Sequence, residues 1–281
     1  MLTRIKIRYL LMFIVLSGSG MNAVYSQSDN WPLGTRAASM SNAYVAESDL
    51  WSVHHNQAGL GFYPQFAIGF HHENKFLVEE YSLHALGLTI PVKTGTLGIS
   101  YTYFGYPVYN ESKLGLGYGM SLGEKIAAGI QLNYHYNYLE GEFGNRHALS
   151  FEAGIQYRAT DRVTIGAHVA NPTRSTISAY EQDTIPTYFN IGFSYAPVDY
   201  FRINMQVRSR LNAETSFLTG AEYMIFQNLF LRAGLGTSPF RGTFGLGYHY
   251  SRISADIGFT HHRILGFTPH FSFQAILGAR N

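Results

Sequence analysis

From Gln65 almost to the end of the chain, apolar and polar residues alternate with a period of two. Leu149, Phe151, Ala153, Ile155 and Tyr157 fall on one face, and Ser150, Glu152, Gly154, Gln156 and Arg158 on the other. Phe201, Ile203, Met205 and Val207 repeat the scheme against Arg202, Asn204, Gln206 and Arg208, as do Ile253, Ala255, Ile257 and Phe259 against Ser254, Asp256, Gly258 and Thr260. Successive side chains of a strand point to opposite sides, so the pattern predicts a sheet with one apolar and one polar surface. About fourteen such segments follow one another, beginning near Gln65, Ser82, Gly95, Lys113, Ile126, Ala148, Val163, Thr187, Phe201, Phe217, Leu229, Thr243, Ile253 and Pro269. Each is close to the ~9–11 residues that a tilted membrane strand needs. Merging neighbours would give twelve.

Short turns are predicted at Val92-Lys93-Thr94, Gly123-Glu124-Lys125, Ala159 to Arg162, Pro197-Val198-Asp199 and Gln227-Asn228. They alternate with longer links at Asn74 to Glu80, Tyr106 to Ser112, Leu139 to Arg146, Asn171 to Pro186 and Arg210 to Ser216. Short periplasmic turns alternating with longer outer loops mark transmembrane barrels, and an even strand count leaves both ends in the periplasm. Tyr134, Tyr136, Tyr138, Tyr157, Tyr195, Tyr248 and Tyr250 sit towards strand ends on the apolar face, where an interfacial girdle belongs. The expected fold is all-β, a transmembrane antiparallel β-barrel over residues 65–281.

Composition narrows the choice between this barrel and a soluble all-β protein. Only 14% of residues are charged while 46% are hydrophobic, with 21 Tyr, 20 Phe and 29 Gly. A soluble domain carries roughly 25% charge. Mean hydropathy is near zero, and beyond the N-terminus no apolar run approaches the roughly 18 residues of a membrane helix. Residues 1–26 read as a secretory signal: Arg4, Lys6 and Arg8 precede a short apolar core from Leu10 to Leu16, and small residues lead to a cut after Ser26, with Ala23 as the alternative. Removing it lowers the basic count from 20 to 17 against 18 acidic residues, so nothing marks a nucleic-acid footprint. The chain has no Cys, which excludes disulfides and thiolate chemistry. The expected location is the outer membrane of a Gram-negative bacterium.

Residues 27–64 lack strand alternation. Leu33-Gly34-Thr35-Arg36-Ala37-Ala38-Ser39-Met40-Ser41-Asn42-Ala43-Tyr44-Val45-Ala46 resembles the N-terminal signature of FadL-like and PorV/PorQ-like outer-membrane barrels, in which a G-x-R-A-x-x-M-G-x-A run leads through an acidic segment to N-P-A-G-L. Gly34, Arg36, Ala37, Met40 and Ala43 carry the first part, and Asn56, Ala58, Gly59 and Leu60 the second. Ser41 and Gln57 replace the family's Gly and Pro. The resemblance covers about thirty residues. It implies a fourteen-stranded barrel with the N-terminal segment folded into the lumen as a plug. The wider group divides between passing hydrophobic molecules and serving type IX protein export. The outer loops look short for capturing a greasy ligand, so the leading expectation is an accessory subunit of an export or barrel-assembly complex. The alternatives are a FadL-like transporter of hydrophobic molecules and a simple diffusion channel. Expected partners are the lipid bilayer, a larger outer-membrane complex, and a lipid-like or detergent-like ligand in the lumen.

Glu152, Arg158, Arg202, Arg208, Glu222, Arg232 and Asp256 share the inward face and are expected in the lumen, where charge escapes the roughly 2–4 kcal/mol that Arg or Lys costs against lipid. They serve either as a paired set pinning the plug or as a polar permeation path. His54-His55, His71-His72 and His261-His262 invite a metal reading. Adjacent strand residues face opposite ways, so neither strand pair can close both rings on one ion, and no metal or other cofactor is expected. Gly115 to Gly119 has no following helix or Lys for a phosphate loop; its glycines make room on the inward face. His147 with Ser150, or His270 with Ser272, could be pressed into hydrolysis. The first pair faces opposite sides; the second shares a face, but such pairs arise often by chance, and hydrolysis would also need an orienting partner, so no enzymatic activity is expected.

Overall fold

A computed structural model of the chain describes residues 32–141, 144–177 and 184–278. The predicted signal at 1–26, residues 27–31, 142–143 and 178–183 and the last three residues lie outside the described residues. Fourteen strands form one closed antiparallel barrel. They are β1 (Ala67–Asn74), β2 (Ser82–Val92), β3 (Gly95–Tyr106), β4 (Tyr109–Ser121), β5 (Ile126–Leu139), β6 (Gly144–Thr160), β7 (Val163–Ala170), β8 (Tyr188–Val198), β9 (Phe201–Arg210), β10 (Ser216–Phe226), β11 (Leu229–Gly236), β12 (Arg241–Tyr250), β13 (Ile253–His262) and β14 (Gly266–Ile276). Each strand pairs with its chain neighbours, and β1 closes on β14 from Ala67 opposite Ile276 to Glu73 opposite His270.

The alternation works as the sequence requires. Outward residues form a continuous apolar wall, with Ile130 64% and Phe217 61% exposed, whereas inward residues such as Asn133, Gln131 and Gln156 are buried. Such a wall is stable against lipid rather than water, and closure pairs the strand backbones without leaving an edge. Tyr157, Tyr195, Tyr248 and Tyr250 are exposed near the end with the short turns, and Tyr134 near the end with the longer loops. β4, β6 and β14 start several residues before the predicted points. Their hydrogen-bonded ladders continue through Asn110, Glu111 and Ser112 and through Asn145 and Arg146, where apolar alternation has faded. The predicted link at Tyr106 to Ser112 is consequently a tight hairpin, with Tyr106 directly opposite Tyr109.

Residues 33–60 fold inside the barrel. Helix α1 (Thr35–Ser39), helix α2 (Ser52–His55) and a 3-10 segment (Gln57–Phe62) are linked by turns. Their core of Leu33, Ala37, Met40, Tyr44, Leu50 and Trp51 packs against Ala67, Leu83 and Ala85 of the wall. Gly34 enters α1 with φ +85° and lies against the Trp51 indole, which occupies the space a Cβ would need; only glycine suits both demands. Around the lumen the wall answers with glycines. A Cβ at Gly129 would meet the Gln57 and Ala58 backbone, one at Gly166 the Val45 backbone, and one at Gly220 the Met40 backbone. Gly117 and Gly119 lie under Gln57 and Leu60, so the glycine-rich run of β4 is a seat for the inserted segment.

Gly129→Ala should therefore destabilise the plugged barrel by about 1–3 kcal/mol, the usual cost of overpacking a rigid contact. Gly123→Ala, in an open turn at φ +90° with nothing nearby, leaves the plug's seat intact. Thermal unfolding in detergent, followed together with protease access to residues 33–60, should show plug loosening in the first variant only.

Candidate functional site

The plug is held by charge as well as shape. Arg36, at 14% side-chain exposure, grips Glu222 of β10 through two nitrogens, Nε to Oε2 and Nη2 to Oε1, both at 2.8 Å. It also lies 2.9 Å from Glu47 and 3.3 Å from Asp49. The fork of a guanidinium matches a carboxylate in this two-point way, which fixes orientation as well as charge. The network continues through the wall: Arg202 reaches Glu47 at 2.6 Å, Arg232 joins Glu222 and Asp256 at 2.6 Å each, and Ser194 donates to Glu47 at 2.8 Å. Tyr44 receives a bond from Arg36 at 2.9 Å and donates to Asp49.

Burial alone would push Glu47 up, but Arg36 and Arg202 outweigh it and hold its carboxyl at about 2. Asp49 goes the other way: burial raises it despite Arg36 and the Tyr44 hydroxyl. Burial pushes His55 down to about 3, and its Nε2 lies 2.8 Å from the Leu33 carbonyl oxygen, so it sits neutral.

A second cluster lies across the lumen. Glu152 of β6 accepts from Lys113 at 2.7 Å, from Asn133 at 2.8 Å and from plug residue Gln57 at 3.0 Å, and lies 3.1 Å from His168 Nε2. The plug's own backbone is also satisfied by the wall: Gln206 accepts from the Tyr44 and Val45 amides at 2.9 and 3.0 Å, and Gln156 donates to the Glu47 carbonyl at 2.9 Å. Such pairing is what a buried polar interface requires.

Of the seven predicted lumen residues, Glu222, Arg232, Asp256 and Arg202 form one network with Arg36, and Glu152 forms the second. The other two lie apart. Arg208 donates to Asn190 at 2.9 Å towards the loop end, while Arg158 is exposed at the turn end and stacks 3.7 Å over the Phe62 ring. Among the predicted plug residues, Gly34, Ala37, Met40 and Ala43 shape the turns and core, and Asn56 donates to the Val45 carbonyl at 2.7 Å. Ala58, Gly59 and Leu60 are fully buried in the 3-10 segment. Sequence reasoning missed Glu47, Asp49, Tyr44 and Gln57 as plug anchors; the acidic run after the Arg36 motif was the available signal. The Ser–His pairings do not form dyads. Ser150 bonds His135 and His147 bonds Tyr134, while His270 faces Thr260 and Ser272 accepts from the Thr35 amide.

Above the plug, on the loop side, a cavity of about 60 Å³ opens between β3–β6 and residues Ala170, Asn171, Ile185, Pro186 and Tyr188. Its floor is polar, with His54, Lys113, His135 and Glu152; its walls include Phe104, Ala170, Ile185, Pro186 and Tyr188.

No protein-family model and no curated protein matches this sequence. Solved structures do match. The CymD monoaromatic hydrocarbon channel superposes with a TM-score of 0.71 at 12% identity, over 88% of this chain and 98% of that one. The Pseudomonas putida toluene transporter TodX gives 0.64 at 12%, over 90% and 98%, and a Pseudomonas aeruginosa FadL homologue 0.60 at 10%, over 86% and 97%. The chain therefore has the fold of the FadL-type fourteen-stranded barrels. The comparisons give no support to the PorV/PorQ side of the resemblance or to type IX export.

Arg36→Leu would leave Glu222 and Glu47 short of a buried partner, a loss of about 3–5 kcal/mol, and should raise protease access to residues 33–60. Acid should act alike on the wild type. Glu47 is held below its ordinary 4.5, so its contribution is complete above that value and is lost as pH falls towards about 2. His55 adds to this from 6.5 downwards, because the released imidazole takes a proton that the buried one refuses until about 3. Plug exposure measured against pH should rise below 6.5 and steepen below 4.5, with little change between pH 7 and 8.

Proposed function

We propose that the chain is a non-enzymatic outer-membrane transporter that admits small hydrophobic molecules, with the loop end facing outward and the N-terminus in the periplasm. The observation that carries this reading is a plugged lumen with a partly apolar cavity on its loop side, in a fold shared with monoaromatic hydrocarbon channels. The plug fills the inward space offered by the wall glycines, with an apolar core on the β1–β2 side, ion pairs to β9 and β10, and a hydrogen bond to the ion-paired Glu152 of β6. An apolar solute gains nothing from crossing buried ion pairs, whereas Phe104, Ala170, Ile185, Pro186 and Tyr188 offer contacts that favour it. The same packed lumen argues against a simple diffusion channel, which needs a continuous aqueous path.

A second reading, an accessory subunit of an outer-membrane protein complex, is favoured by one feature. A shallow groove of about 630 Å³ on the lipid-facing wall is floored by small residues, Thr219, Ala221, Ala233 and Gly242, and flanked by Phe201, Leu235 and Phe244. A partner element could approach the wall closely there.

The two readings part in one experiment. The purified full-length protein in detergent, titrated with toluene and with a medium-chain fatty acid, should bind a monoaromatic or acyl ligand, and Ala170→Val, which takes up much of the cavity, should weaken that binding at least tenfold while leaving the melting temperature near wild type. Absence of binding, together with recovery of the chain in a much larger complex after mild extraction, would transfer the assignment to the accessory subunit.

A further inference from the structure

The lumen-facing wall holds a group that neither network uses. His71 and Glu73 stand two apart on β1 and so point inward together, and His270 of β14 lies opposite Glu73 in the ladder. All three are buried, at 0%, 2% and 2% exposure. One nitrogen of each imidazole and one carboxylate oxygen lie within 4.8 Å of one another. His270 Nδ1 is 3.4 Å from Glu73 Oε2, and His71 Nε2 is 4.0 Å from it. None of these three atoms makes a hydrogen bond, an arrangement that buried polar atoms rarely tolerate without a further partner.

We propose that His71, Glu73 and His270 bind one divalent transition-metal ion of the zinc class at the seam where the first strand meets the last. Ligand bonds of about 2.0–2.2 Å in a tetrahedron put neighbouring ligand atoms roughly 3.3–3.5 Å apart. The Glu73–His270 separation already meets this, and a small side-chain movement brings His71 in. Two imidazoles and one carboxylate suit zinc, leaving a fourth position for water.

The outer partners are in place too. The far nitrogen of His270, Nε2, lies 2.8 Å from the Thr260 hydroxyl, and that of His71, Nδ1, lies 3.5 Å from the Thr35 hydroxyl on the plug. Ligating histidines characteristically hold their second nitrogen in this way, which fixes tautomer and ring direction. The Trp51 ring stands edge-on to His71 at 6.1 Å and shields it. A bound ion would therefore tie β1 to β14 and, through His71 and Thr35, register the plug against that seam. This also resolves the histidine pairs: His71 with His72 cannot share an ion, but His71 with a residue two positions on and another nearly two hundred positions away can.

The test uses the folded full-length protein in detergent, stripped with EDTA and titrated with Zn²⁺ or Co²⁺ alone. The expected result is one metal per chain, a visible Co²⁺ spectrum of tetrahedral type, and a higher melting temperature with Zn²⁺. Glu73→Gln and His270→Gln should each lower affinity at least tenfold and abolish the melting shift; Thr260→Val should lower affinity about 10–100-fold through the lost orienting bond. Failure of the wild type to bind would overturn the proposal. Equal binding by wild type and both glutamine variants would also overturn it, placing the metal on other side chains. Should neither glutamine variant fold, Co²⁺ broadening of the His71 and His270 resonances in the wild type supports the site, and broadening confined to other histidines refutes it.

Discussion

Pairing of β1 with β14 is the contact on which the rest depends. In hydrocarbon an unpaired backbone N–H or C=O costs several kcal/mol, so a sheet with open edges has no stable place there. The ladder from Ala67–Ile276 to Glu73–His270 removes both edges at once. It joins residues some two hundred positions apart, and the entropy of bringing them together is offset only when the whole ring closes. Once closed, the ring imposes a second requirement, because its inward faces enclose polar side chains that need partners.

The plug meets that requirement. Its Arg36 faces carboxylates from both the wall and its own chain, and Gln206, Gln156 and Glu152 bond plug groups directly. Desolvating ions gains little net stability over an apolar core of the same shape. It does specify position, since Arg36 can satisfy Glu222 and Glu47 together in one placement. The glycines then set the depth at which the plug sits. Shape and charge thus agree on a single docked arrangement, and a lumen built from both resists slippage in a way that apolar packing alone would not.

How much of this could be read from the sequence follows from the range of each signal. Strand starts at Ser82, Gly95, Ile126, Val163, Phe201, Leu229 and Ile253 agree with prediction because alternation and turn residues are local. The hairpin at Tyr106–Tyr109 was read as a loop because Asn110, Glu111 and Ser112 have left the lipid, where hydrogen bonding persists but hydrophobic alternation has no reason to. Inward charge was legible by parity, which placed Glu222, Arg232 and Asp256 on the correct face. Their partners were not, since Arg36 and Glu222 are 186 positions apart. The cluster of His71, Glu73 and His270 shows the limit most clearly. The H-x-E spacing on one strand face is visible locally, but the third residue is supplied by barrel closure, which no window of sequence contains.

These features bear on how such a barrel handles an apolar solute. Two solvents meet at its wall, hydrocarbon outside and a fixed polar network inside, separated by the thickness of one sheet. On the transport reading, a hydrocarbon entering from the loop end would find Phe104, Tyr188, Ile185 and Pro186 at the cavity walls, then Lys113 and Glu152 at its floor. Further axial travel would exchange favourable apolar contact for buried ions that are already paired and cannot re-pair around the solute. The free-energy gradient therefore turns away from the plug. Under the proposed transport function the firmly held plug would be part of the selectivity, opposing passage of polar solutes through the lumen and making the axial route unfavourable for apolar ones.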